Sequence, residues 1–163
     1  APFRELAAPV DAREAASRDQ AGGAILMYRS LRRIAPDRAL AVTARVVEAA
    51  ALAFLSDTVG AVHPDALADL DPAARRPWVR NRLDRFPNVT ATIGRADPDR
   101  VAFTVTACRL VSLVREAGHP ELAPLFCAAD GRFFAGAGIR LDRPTTLAAG
   151  DDACRFHLHG GAR

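Results

Sequence analysis

The chain contains no lysine: all 22 of its basic residues are arginine. That absence removes the P-loop phosphate-binding motif, whose lysine reaches the β- and γ-phosphates. Against 19 acidic residues the arginines leave a net charge of only +3. Such a balance gives no strong electrostatic case for nucleic acid. The arginine and alanine bias reads as codon usage in a GC-rich genome. Cysteine is scarce, at three residues. An odd count argues against a disulfide framework, and free thiols suit a reducing compartment. The apolar stretch from Ala49 to Leu55 is mostly alanine and falls short of the ~20 residues a bilayer span needs. The first residues lack the charged-then-apolar pattern of a secretion signal. A cytoplasmic location with no membrane partner is therefore expected.

Half of the 163 residues are apolar and a quarter are charged, the composition of an ordinary globular domain. Residues 1–20 are polar and contain prolines, and are expected to form a mobile arm or a short helix. Residues 21–160 are expected to form one domain. Met27, Leu31 and Ile34 recur at helical spacing and predict a helix over 24–35. Pro36 suits the first turn of the next helix. Its stripe is Leu40, Ala44, Val47, Ala51 and Phe54, and Gly60 is placed to end it. A broken helical region covers Asp65 to Phe86, interrupted by Pro72 and Pro77. Its basic strip, Arg75 to Arg85 around Trp78, reads as a solvated helix face rather than a phosphate-binding surface.

After Pro87 the period changes from about 3.6 to 2. Val89, Ala91 and Ile93 alternate with threonines. Gly94 to Asp99 reads as a turn, and Val101, Phe103 and Val105 complete a hairpin. Helices are expected at 107–117 and from His119 to Phe134. Strands are expected over 139–147 and 153–159, with a turn at Gly150-Asp151-Asp152. Gly160 to Arg163 read as a flexible tail. The fold class is α+β: N-terminal helices packed on an antiparallel sheet of about four strands.

Chemistry-bearing residues gather after position 100. Cys108 opens a helix directly after a strand, where the helix dipole would lower a thiol pKa. Alternatively it is a small buried hydrophobe. Cys127 and Asp130, spaced i to i+3, share one helix face. They could act as nucleophile and proton carrier, although the carboxylate would raise the thiol pKa unless a cation lies nearby. On a strand, Cys154, Phe156 and Leu158 point to the core while Arg155, His157 and His159 point away. His157 and His159 read as a solvated strand face, and His63 and His119, each before a proline, as turn or cap residues.

These residues fall into an order. Val105-x-x-Cys108 is followed by Gly118-x-x-Glu121-Leu122 and Leu125-x-Cys127-x-x-Asp130. Then come Arg143-x-Thr145-x-x-x-x-Gly150 and Cys154-x-Phe156. The set resembles the C-terminal signature of the L-2-amino-thiazoline-4-carboxylic acid hydrolase family, over roughly Phe103 to Leu158. Arg155, Ala129 and the small segment Ala135 to Gly138 depart from the family's usual residues and bear on the substrate. The resemblance implies hydrolytic opening of a small cyclic amidine or thioether that carries a carboxylate. It implies a thiolate nucleophile at Cys127 or Cys154, Asp130 as proton carrier and Cys108 in support. Arg143 would clamp the substrate carboxylate, and Thr145 and Thr146 would add hydroxyl contacts. The expected partner is a small-molecule substrate. No metal or cofactor is expected, and a homodimer is possible through the alanine-rich helices. Three rival readings use the same residues: a natural-product tailoring enzyme, a soft-metal or organometal thiol enzyme, and a non-catalytic binding protein.

Overall fold

A computed structural model describes residues 2–60 and 62–160. The last three residues of the expected tail, 161–163, lie outside that set.

Helix α1 spans Ala12–Ile34, starting twelve residues before its apolar periodicity. The Asp11 side chain caps it by accepting a hydrogen bond from the Glu14 amide at 2.8 Å, which satisfies a donor the first turn leaves open. Residues 12–20 are therefore helix rather than arm. Phe3 and Leu6, ahead of the cap, pack on the helical core. The helix runs unbroken through Gly22 and Gly23. At Gly22 an added Cβ would stand 3.4 Å from the Phe3 ring, so the missing side chain lets that ring approach. Glu14 holds α1 to the rest of the chain through Arg109, whose Nε and Nη2 donate at 2.8 and 2.9 Å.

Helix α2 spans Pro36–Phe54. A π-helical turn, Leu55–Val59, extends it, and Gly60 ends it at φ +71. Its buried face is Ala39, Thr43 and Val47, with the Thr43 hydroxyl donating to the Ala39 carbonyl at 2.8 Å. That face is displaced from the expected stripe, and Leu40 is exposed. Within the continuous segment Pro36–Thr58, an 18-residue window reaches a mean hydropathy of 1.7. By length and composition it is long enough to cross a membrane, a correction to the shorter run read from sequence. It packs against α1 and a later helix, with Glu48 accepting from Arg132 at 3.0 Å.

Helix α3 covers Pro72–Leu83, with Pro72 in its first turn and Pro77 inside it. Its arginines are not a free solvated face. Arg76 donates to the carbonyls of Ile93 and Gly94, and Arg80 to that of Ala91. Arg75 donates to the carbonyls of Leu67 and Leu70. Arg76 and Arg80 thereby use backbone acceptors that an edge strand would otherwise leave to solvent.

Strands β1 (Val89–Asp97) and β2 (Arg100–Cys108) form the expected hairpin, but the turn is only Pro98-Asp99. Register shifts at Thr90/Ala91 and Ile93/Arg95 mark bulges. A bulge adds a residue and resets the alternation. Ile93 and Ala96 are buried three residues apart, so strict alternation appeared to stop at Ile93. Helix α4 (Arg109–Glu116) follows β2 directly, and helix α5 covers Ala123–Gly136. Strand β3 is only Arg140–Asp142, not 139–147. Pro144 lacks the amide needed to continue a ladder. Strand β4, Cys154–His159, alternates buried and half-buried as expected.

Among the described residues the fold is five α-helices and one four-stranded antiparallel sheet, ordered β1-β2-β4-β3. This is the α+β architecture expected. One apolar cluster joins the sheet to α3 through Val101, Leu158 and Val79. A second joins α1, α2, α4 and α5 through Ile25, Ala39, Leu113 and Ala123.

Candidate active site

The β2–β4 register places Cys154 opposite Val105 and Phe156 opposite Phe103. The two phenyl rings stack at 4.6 Å and form a rigid wall. Cys108, the last residue of β2, is the cap residue of α4. On the helical side, Cys127 and Asp130 lie one turn apart on α5. Arg143 follows β3 and returns to α5: its Nη1 donates to Asp130 Oδ2 and its Nη2 to the Cys127 carbonyl at 3.1 Å. The same guanidinium stands 5.3 Å from the centre of the Phe156 ring, a favourable cation–π geometry.

Cys108, Cys127, Cys154, Asp130 and Arg143 all line one cavity of about 110 Å³ between the two layers. Its other walls are mostly apolar, including Phe126, Phe133 and Leu83. Thr145 and Thr146 do not line it. The Thr145 hydroxyl accepts from Arg155 at 3.1 Å, and the Thr146 hydroxyl accepts from the Ala149 amide at 3.2 Å. Both shape the loop between β3 and β4.

The thiols differ in environment. Burial pushes the Cys127 thiol up to about 12, Asp130 adds to the rise, and Arg143 opposes it. Cys108 is also raised by burial, which outweighs the Val111 and Leu110 amides at the helix start. The lowering expected from the dipole is thus reversed, because a buried thiolate loses more hydration than the first turn returns. Cys154 is buried, and its sulfur accepts a hydrogen bond from the Leu147 amide at 3.2 Å. Burial raises the Asp130 carboxyl to about 6, against the opposing charge and hydrogen bond of Arg143.

Sequence reasoning missed Asn88. It lies between Pro87 and β1, lines the cavity, and donates from Nδ2 toward Cys108 Sγ at 3.8 Å. Nothing local marks it, since its role depends on the β1–β2 pairing. The histidines lie elsewhere. His63 caps a turn by accepting from the Asp65 amide. His119 is paired with Arg29 and Glu121. His157 meets Arg100 at 2.9 Å. Among the described residues no three His, Cys, Asp or Glu side chains are grouped to hold a metal ion.

Three thiols and an arginine-held carboxylate thus line one cavity between a helical layer and a small sheet. The chain belongs to the L-2-amino-thiazoline-4-carboxylic acid hydrolase family, whose model matches residues 17–158. The family name implies a hydrolase acting on a thiazoline carboxylate. No curated protein and no solved structure matches the chain.

Proposed function

We propose that this protein hydrolyses a thiazoline-type ring by covalent catalysis, with Cys154 as nucleophile and Asp130 as proton carrier. The observation that carries the reading is the convergence of Cys154, Asp130 and Arg143 on one enclosed cavity. The Cys154 sulfur adds to the ring carbon between nitrogen and sulfur, and the carbon–nitrogen π electrons move to the ring nitrogen. Asp130 takes the thiol proton and delivers it to that nitrogen. A ring bond to the same carbon then breaks as the exocyclic nitrogen forms a carbon–nitrogen double bond and passes its proton to the leaving atom. Water attacks the bound carbon, one of its protons goes to that nitrogen and the other passes through Asp130 to the Cys154 sulfur, which leaves as a thiol while the carbonyl forms. The net change is addition of one water.

The residue environments favour these roles. A carboxyl near 6 is ionised at neutral pH yet can be protonated at modest cost, which suits an acid–base group. The Leu147 amide donates to the Cys154 sulfur and fixes its place in the cavity wall, and the Cys127 thiol, pushed up to about 12, remains protonated in the empty site. Cys127 therefore stays a thiol, and Cys108 forms part of the wall. Arg143 aligns Asp130, and an incoming substrate carboxylate shares that guanidinium with it. A reducing cytoplasm would keep the thiols in this form.

The test is turnover of 2-amino-thiazoline-4-carboxylate. Cys154→Ala is expected to lose several powers of ten in kcat/KM, and a slow substrate to leave a mass adduct on the Cys154 peptide. A near-normal rate in Cys154→Ala would overturn the assignment. Full loss in Cys127→Ala with an adduct on Cys127 would move the nucleophile there.

A further inference from the structure

The inner cavity does not end at Asp130. A chamber of about 400 Å³ lies between α1 and α2 and shares six wall residues with it: Leu55, Phe86, Asn88, Leu110, Phe126 and Asp130. Asp130 stands where the two spaces meet. The inner space alone is small for a ligand site, whereas the two together fall within the ~300–1,000 Å³ of ordinary small-molecule pockets.

We infer that the substrate is a heterocycle bearing a neutral apolar substituent, which occupies this outer chamber while the ring reacts beside Cys154 and Asp130. The inference rests on the proposed ring chemistry and names its substrate class. Among the described residues the outer walls carry no arginine or histidine, and Asp130 is their only charge. An anionic extension would find no counter-ion among them. The space exists because small residues face each other across it, Gly23 and Ala24 on α1 and Ala50 and Ala51 on α2. Met27, Phe54 and Phe126 supply the deeper apolar surface. Gly23, Val46 and Ala50 are exposed and form the mouth, so a substituent enters without unfolding either helix. Burying such a group in this chamber gives binding energy remote from the reacting carbon.

The test uses two series with 2-alkylamino substituents of increasing length. Thiazole-4-carboxylates, whose aromatic ring resists hydrolysis, report binding by calorimetry. Thiazoline-4-carboxylates report turnover. Wild-type protein is expected to bind the thiazoles about two- to fourfold more tightly per added methylene until the chamber is full. Gly23→Phe, at a helix position where an added Cβ meets nothing within 4 Å, is expected to abolish that gradient while leaving the unsubstituted ring's affinity within twofold. Ala50→Phe, from the opposite wall, is expected to do the same and guards against a folding defect in the first variant. Affinity independent of chain length in wild type, or a gradient surviving in both variants, overturns the inference. A gradient in binding with no hydrolysis of any thiazoline upholds the chamber's preference and instead overturns the proposed ring chemistry.

Discussion

Replacing Asp130 with asparagine is expected to make the folded protein more stable above pH 6 while removing its activity. Burial raises the folded carboxyl from its ordinary 3.8 to about 6. The folded state therefore binds this proton more tightly than the unfolded chain does. Between those two values the unfolded chain has released the proton and the folded one has not. Stability contributed by this group is then present in full below 3.8 and declines as pH rises through about 6. Each unit of displacement is worth about 1.4 kcal/mol, so the ionised carboxylate costs the fold about 3 kcal/mol at neutral pH. Arg143 reduces that cost without cancelling it, and its effect is already contained in the value near 6. Asparagine keeps the shape and never ionises. The assay is urea unfolding of wild type and Asp130→Asn from pH 4 to 8. Comparing the two cancels every other titrating group, including Glu14, whose dependence has the opposite sign. The stability gap, variant minus wild type, is expected to widen by about 2–3 kcal/mol between pH 4 and pH 7 and then level. A gap that stays flat, or an asparagine variant that becomes relatively less stable at high pH, would refute the claim that Asp130 is a strained, buried charge.

Other expectations follow from the same contacts. Arg109 and Arg18 hold the Glu14 carboxyl down at about 2. Glu14→Gln is therefore expected to cost about 2–3 kcal/mol at neutral pH, with the deficit vanishing as acid protonates Glu14 in wild type, as measured by denaturant midpoints. Thr146→Ala removes the side-chain cap of the turn at Leu147–Ala149 and is expected to cost about 1 kcal/mol. It is expected to leave KM unchanged, because the hydroxyl faces the loop. Arg143→Met removes the cation beside Asp130, so the acid limb of the kcat/KM profile is expected to move above pH 6. A limb that stays near 6 would show that another group governs it.

Local signals were most legible where one physical requirement dominated. The β4 alternation needed only a two-residue period and one buried face. The end of α2 needed a residue that tolerates φ +71, which Gly60 supplies. Errors arose where a distant partner outweighed the local signal. Residues 12–20 read as an arm or short helix because their own pattern is polar, whereas the helix starts at the Asp11 cap and uses Gly22 to admit Phe3. A bulge beside Gly94 resembled a turn because it disrupted alternation without ending the strand. Residues 143–147 looked extended and are extended in part. Pro144 and the Thr146 cap send them away from the sheet, which removes both threonines from the cavity. The Cys108 dipole reading failed on magnitude: two nearby amides do not offset burial of the whole thiol.

The convergence of α5 with β4 follows from how the two layers meet. Each layer closes its own apolar cluster, and the boundary between them is where packing is left incomplete. Polar groups placed at such a boundary lose hydration, so they persist only with partners or with a compensating role. Arg143 partners Asp130, Asn88 partners Cys108 and the Leu147 amide partners Cys154, yet the carboxyl remains raised to about 6. A set of contacts serving stability alone would have left an apolar residue at 130, which would pack against Phe126 and Phe133 without a charge to bury. That the fold tolerates an incompletely compensated carboxylate beside three thiols is the physical reason to assign chemistry to this cavity. The predicted gain in stability from Asp130→Asn measures that tolerance directly.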